Sequence, residues 1–201
     1  MYLDAFDQAV QIAVDALGAT LELRDAYTPR HQERVAELAY AIAVELGPDA
    51  HAANIVGVAG RVHDVGKNGV PTELLMAARS LTDPEREVVR AHVRAGHEIL
   101  VNIPFPGPVA EMVLHHHERL DGSGYPSGLR GDEISLGGCI LAVADVVEAM
   151  SSHRPYRPAP GIPAALARLE EHRGSRYDAD AVDVCLHLFR NRGYEFSHPL
   201  I

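Results

Sequence analysis

Residues 139–147 read CILAVADVV, the longest apolar stretch of the chain, and the run carries a single acid, Asp145. It is too short to cross a bilayer, which takes about 20 apolar residues. Asp145 falls four residues after Leu141 and sits among Val143, Ala144, Val146 and Val147, so helical spacing turns it toward the core. An ionised carboxylate alone in apolar surroundings is costly or shifts its pKa. Asp145 therefore needs partners from elsewhere in the chain.

Helical periodicity dominates on both sides of this stretch, and no run of alternating strand pattern appears. The expected fold class is all-α, a helical bundle of about seven to nine helices. A first helix is expected over residues 4–24, with Val10, Val14, Leu17 and Leu21 on one side. Thr28 and Pro29 open a second, striped by Val35, Leu38, Ala39, Ile42 and Leu46 and stopped by Gly47-Pro48. A third runs from about Asp49 to Val65 and ends at Gly66. After the short segment PTELLM, Thr82 caps a single helix over 83–101, with Pro84 in its first turn and Glu85 completing a capping box. Helices over 106–117, 137–151, 161–173 and 178–192 follow, and a glycine-rich loop covers 120–131. No linker or repeat interrupts the order. The chain reads as one domain over 1–201, with an N-terminal helix at 1–24, a core over 25–192 and a tail at 193–201.

Composition narrows the partners. The formal charge of −10 argues against long nucleic acids, which bind through basic surfaces, but leaves room for a small phosphate held by local cations. The first residues, MYLDAFDQAV, carry two aspartates and no early Lys or Arg, unlike a secretory signal. No stretch is long and apolar enough for a membrane span. Cys139 and Cys185 stand far apart without metal-ligand spacing, which suits a reducing cytosol, so a cytoplasmic location is expected.

Twelve histidines in 201 residues is the unusual number, and position decides which matter. His31, four before Val35, extends an apolar stripe. Ile55, Ala59 and Val62 lead to His63 and Asp64 at a helix end. His92 groups with Val88, Val89, Gly96 and Ile99, while His116, with His117 beside it, follows Val109, Met112 and Val113. Taken singly, each inward histidine reads as a core residue bonded to a carbonyl. Five of them with two inward aspartates need common partners, and a shared metal site supplies these. In HHH at 115–117, two residues are then ligands and one an outer neighbour.

These residues carry a resemblance. HDVGK at 63–67 resembles the paired His-Asp signature of HD-domain phosphohydrolases, and HHERLDGSGYP at 116–126 resembles the defining segment of the HD-GYP subfamily. RDAYTPRHQERVAELA, VPTELL, HVRAGHEIL, ILAVADVVEAM and RPYR at 154–157 support it in uninterrupted order. The resemblance implies a helical phosphodiesterase that opens cyclic di-GMP, a small cyclic dinucleotide, to linear pGpG, with some members continuing to GMP. It implies as metal ligands His31, His63, Asp64, His92, His116, His117 and Asp145, with Asp64 bridging two divalent ions. His31, His63 and Asp145 would complete one ion's set, and His92, His116 and His117 the other's, leaving room for a bridging hydroxide. Iron or manganese is expected first, zinc or others next. Two adjacent cations activate water and neutralise the phosphate during in-line attack.

Lys67, grouped with Asp64 as catalytic, resembles a lysine that contacts the scissile phosphate, and Arg154 and Arg157 resemble arginines near the second phosphate. Gly122 and Gly124 allow a sharp turn, with Tyr125-Pro126 stiffening its exit. Placed directly after two ligands, this loop can border the cleft; in the family it is also linked to docking partners, diguanylate cyclase domains among them, and Tyr125 at its tip fits that role. Asp121 and Glu118 are expected as hydrogen-bond acceptors behind the ligands. Tyr27 stands where some members carry a glutamate for a third metal, so two ions are expected. Cys139, Glu148 and His153 also depart from common family residues. About thirty residues precede His31, too few for a sensor domain. Regulation is therefore expected from a partner, from a homodimer through the first helix, or from substrate supply. Two other readings stand beside this one: an HD-type phosphohydrolase for another cyclic dinucleotide, nucleotide or sugar phosphate, and a catalytically weak module that binds the dinucleotide or a cyclase.

Overall fold

Residues 12–21 are helical and form α1, with Val14 and Leu21 buried as their spacing predicts. The computed structural model describes residues 10, 12–21, 30–47, 49–152, 159–198 and 200. After α1 come α2 (His31–Leu46), α3 (Ala50–Val62), a 3-10 helix over Val65–Gly69, α4 (Thr72–Leu75), α5 (Asp83–Arg90) and α6 (His92–Leu100). The chain continues with α7 (Val109–His115), a 3-10 turn at Gly131–Glu133, α8 (Leu136–Ser151), α9 (Ile162–Glu171) and α10 (Ala179–Asn191). The fold is all-α, as the periodicity predicts. Among the described residues the only β-type pairings are two isolated bridges.

The opening stretch lies at the centre. In α8 every residue from Gly137 to Ala144 is buried, which is what an apolar helix without a wet face requires. α2 packs against both α3 and α8, bringing Val35, Leu38, Ala39 and Ile42 to full burial. α7 packs against α3, α6 and α8. The 3-10 helix after α3 presses on α6 so closely that a Cβ on Gly66 would lie 1.9 Å from the His92 carbonyl oxygen, so only glycine fits. Residues after α10 fold back along α2: Tyr194 contacts Phe189 of α10 and Phe196 edge to face, and Ser197 N–H donates to Glu37 at 3.2 Å.

Several boundaries differ from the periodic reading. The single helix expected over 83–101 is two, α5 and α6, separated at Ala91. There the His92 imidazole turns back to the Val89 carbonyl at 2.7 Å. The break also rotates the inner face: His92, Val93, Gly96 and Leu100 are buried, whereas Val88 and Ile99, expected beside His92, are 45% and 43% exposed. The third helix stops at Val62, and the chain tightens into the 3-10 helix that contains Gly66. α7 starts at Val109 rather than 106, after Pro108. The Thr82–Glu85 capping box forms as expected, with Thr82 N–H donating to Glu85 at 2.8 Å. Thr28, Pro29, Pro48 and residues 4–9 and 22–24 of the expected helices lie outside the described residues.

Candidate metal centre

Helix ends build the site. The last carbonyls of an α-helix have no helical N–H partner. His63 follows the end of α3, His92 follows the end of α5, and His116 follows the end of α7. Each turns its Nδ1 to the carbonyl three residues earlier: His63 to Gly60 at 2.7 Å, His92 to Val89 at 2.7 Å and His116 to Val113 at 2.6 Å. A carbonyl can only accept, so Nδ1 carries the proton and Nε2 keeps its lone pair. All three Nε2 atoms are buried with no hydrogen-bond partner, as is Oδ1 of Asp64. Such a set of bare donors is costly unless a cation completes it.

The donors fall into two groups. Asp64, His92, His116 and His117 offer one ligand atom each within 4.8 Å of one another, and so do His31, His63 and Asp145. Asp64 faces both. Its Oδ2 lies 3.6 Å from His31 Nε2 and 3.4 Å from His63 Nε2, while its Oδ1 lies 3.3 Å from His92 Nε2. Asp145 Oδ1 lies 3.5 Å from His31 Nε2 and 3.9 Å from His63 Nε2. The seven side chains expected to share a pocket therefore do share one. Imidazole and carboxylate without thiolate suit a divalent ion of the iron, manganese or zinc kind.

Charge separates the two groups. Burial opposes ionisation of Asp64, but the Lys67 ammonium and the His63 ring outweigh it and hold the carboxyl well below the usual range. Burial and neighbouring imidazoles push His116 and His117 well below 6.5, so both rings are neutral and ready to bind a cation. His31 behaves oppositely. Burial works against its protonation, yet Glu148 with the Asp64 and Asp145 carboxylates raises it to about 10.

Glu148 and Arg34 are the residues that the sequence reading did not bring into the site. Glu148 is fully buried, accepts from His31 Nδ1, and is gripped by Arg34 through Nε at 2.8 Å and Nη2 at 2.5 Å. Each stands three residues after a candidate ligand on the same helix, Glu148 after Asp145 and Arg34 after His31. Charged residues at that spacing inside buried faces were the available signal.

The remaining residues divide. Lys67 Nζ sits 2.5 Å from Asp64 Oδ2 and is 26% exposed, so it borders the cluster and reaches the solvent side. Arg154, Arg157, His153 and Tyr27 lie outside the described residues. His115 is the outer member of its triplet: its Nδ1 accepts the Ser135 N–H at 3.1 Å and ties α7 to the start of α8. Gly122 adopts φ 79°, and a Cβ on Gly124 would lie 2.4 Å from Glu118 Cα. Tyr125 is not at an exposed tip. Its ring packs on His117 at 4.8 Å, the Arg90 guanidinium covers it at 4.9 Å, and burial raises its pKa. Glu118 and Asp121 are acceptors, but for the loop itself rather than for ligands: Glu118 binds the N–H groups of Ser127 and Leu129, and Asp121 that of Ser123.

A helical domain with a buried His/Asp cluster of this kind is a candidate metal-binding domain. The chain matches the HD domain family over residues 16–181, and it belongs to that family. It is 40% identical over 172 residues to the cyclic di-GMP phosphodiesterase response regulator RpfG of Xanthomonas campestris pv. campestris, covering 85% of this chain and 46% of the relative. It is 36% identical over 200 residues to the 3'3'-cGAMP-specific phosphodiesterase 3 of Vibrio cholerae, covering 98% of this chain and 44% of the relative. The chain thus spans about half the length of the curated relatives it matches. Its fold is similar to that of Bd1817, an HDG"Y"P protein from Bdellovibrio bacteriovorus, with a TM-score of 0.69 at 16% identity over 94% of this chain and 67% of the other. Among the described residues no helix is long and apolar enough to cross a membrane.

Proposed function

We propose that the chain is a dinuclear metal-dependent phosphodiesterase that opens cyclic di-GMP to linear pGpG. The observation that carries this reading is the division of the Asp64 carboxylate, one oxygen toward His31 and His63 and the other toward His92. A carboxylate so shared fits a bridge between two cations. His31, His63 and Asp145 would hold one ion and His92, His116 and His117 the other. When bound, two such ions activate water and neutralise a phosphodiester. The chain's own part is to fix Nε2 of His31, His63, His92 and His116 by their Nδ1 bonds, to keep bulk water from Asp64, and to present Lys67 at the solvent side, where its ammonium can meet a phosphate oxygen. The names of the curated relatives support a cyclic dinucleotide. One of them is specific for 3'3'-cGAMP, which makes that compound the first competitor to assay.

The test is anaerobic purification, metal analysis, and turnover of cyclic di-GMP and 3'3'-cGAMP with added ferrous or manganous ion. Two ions per chain with metal-dependent release of pGpG is the expected result. Full activity in the metal-free protein would overturn the reading. Lys67→Ala is expected to raise KM while metal content stays at the wild-type level; loss of metal in that variant would remove Lys67 from substrate capture.

A further inference from the structure

The four best-defined imidazoles of the cluster are not supported alike. His63, His92 and His116 lean on backbone carbonyls of their own helix ends, which are neutral and local. His31 leans at its Nδ1 on the Glu148 carboxylate, 117 residues away in sequence. Glu148 is held from three sides: Arg34 Nε and Nη2 bind Oε1, and the Ser152 hydroxyl donates to Oε1 at 2.7 Å. Arg34 also reaches the Ser152 hydroxyl at 3.1 Å, and it is itself 1% exposed. The carboxylate therefore has one place to be. A carboxylate behind a ligating imidazole fixes its tautomer, orients its ring and makes it a stronger donor than a carbonyl does.

Resting on the two-ion reading of this site, we infer that Glu148, clamped by Arg34 and Ser152, is a positioning residue that makes the His31–His63–Asp145 half the tighter of the two metal sites. A shorter acid would have to reach the same Nδ1 with one methylene less, so the length of Glu148 belongs to the device. Replacing the charge while keeping the shape should weaken one half and spare the other.

The experiment is metal binding at limiting free manganese, read by equilibrium dialysis and not by turnover, with a double-mutant design. Wild-type protein is expected to fill one site before the second. Glu148→Gln is expected to weaken the first-filling site by about 10- to 100-fold, the range for partners behind a ligand. In a His116→Ala background, where only the half around His31 remains, the same change should cost the full factor. In a His31→Ala background it should cost nothing further, because its only route to the ion is gone. Glu148→Asp is expected to recover only part of the loss. Equal weakening of both sites by Glu148→Gln, or no weakening at all, would overturn the inference. Wild-type protein that binds no manganese would overturn the two-ion reading instead, so the two failures are distinct. Should Glu148→Gln not fold, the zinc-loaded wild type still decides by proton NMR. One imidazole N–H, assigned to His31, should lie well downfield of those bonded to carbonyls, and its absence there would count against the inference.

Discussion

The half of the cluster built on His92 and His116 and the half built on His31 reach the same geometry by different means. In the first, each ring is oriented by the carbonyl three residues before it, at a helix end that leaves such carbonyls open. In the second, His63 has such a carbonyl too, but α2 contributes His31 from its very first residue, and α8 brings the Glu148 carboxylate across the core to it. Local support is assembled as soon as a helix stops. Distant support exists only when α2 and α8 are packed together.

Removing what the halves share should have the largest effect. Asp64→Ala is expected to empty both sites and reduce turnover by more than the roughly 100-fold typical of residues behind a ligand, with helical content retained by circular dichroism. A variant that kept one ion would mean the halves do not share this carboxylate. Next come the single-half changes. His31→Ala and His116→Ala should each leave about one ion per chain by metal analysis, and turnover should fail in both if the two ions act together.

A backbone change tests the local half. Gly66→Ala forces a Cβ against the His92 carbonyl and should destabilise the fold by about 1–3 kcal/mol in urea, the usual range for overpacking. The smallest effect is in pH. In metal-free protein His31 is raised from 6.5 to about 10, so its contribution to stability is whole below pH 6.5 and is lost as pH rises through about 10. Glu148 is lowered from 4.5 to about 2, since His31, Ser152 and Arg34 outweigh its burial. Its contribution is present above pH 4.5 and is lost as pH falls through about 2. Thermal midpoints of the metal-free chain should therefore show this pair at full strength between pH 4.5 and 6.5. Metal loading should flatten the decline above pH 6.5, because the cation takes the place of the proton on His31.

The same contrast marks what could be read before the fold was seen. All seven candidate ligands were legible, because polar residues on apolar helical faces stand out and the HDVGK and HHERLDGSGYP segments carry a resemblance. The central helix and the capping box at Thr82 were equally plain. The break at Ala91 was not, since helical spacing continues through it and the His92 ring meets the Val89 carbonyl only in the folded chain. Glu148 and Arg34 were present only as charges in apolar company. Their meaning depends on α2 and α8 lying side by side, and no local pattern encodes that contact. Tyr125 misled for a related reason: a loop sequence full of turn residues does not say which way its aromatic ring will swing, and here it swings in onto His117.

The convergence of three helix termini has a consequence for the order of events. A helix presents partial negative charge at its carboxyl end, and α3, α5 and α7 all stop beside this pocket, adding to the formal charges of Asp64 and Asp145. Those ends favour positive charge in the pocket, as do its carboxylates. On the proposed two-ion reading, the ions are expected to load before a phosphodiester anion docks.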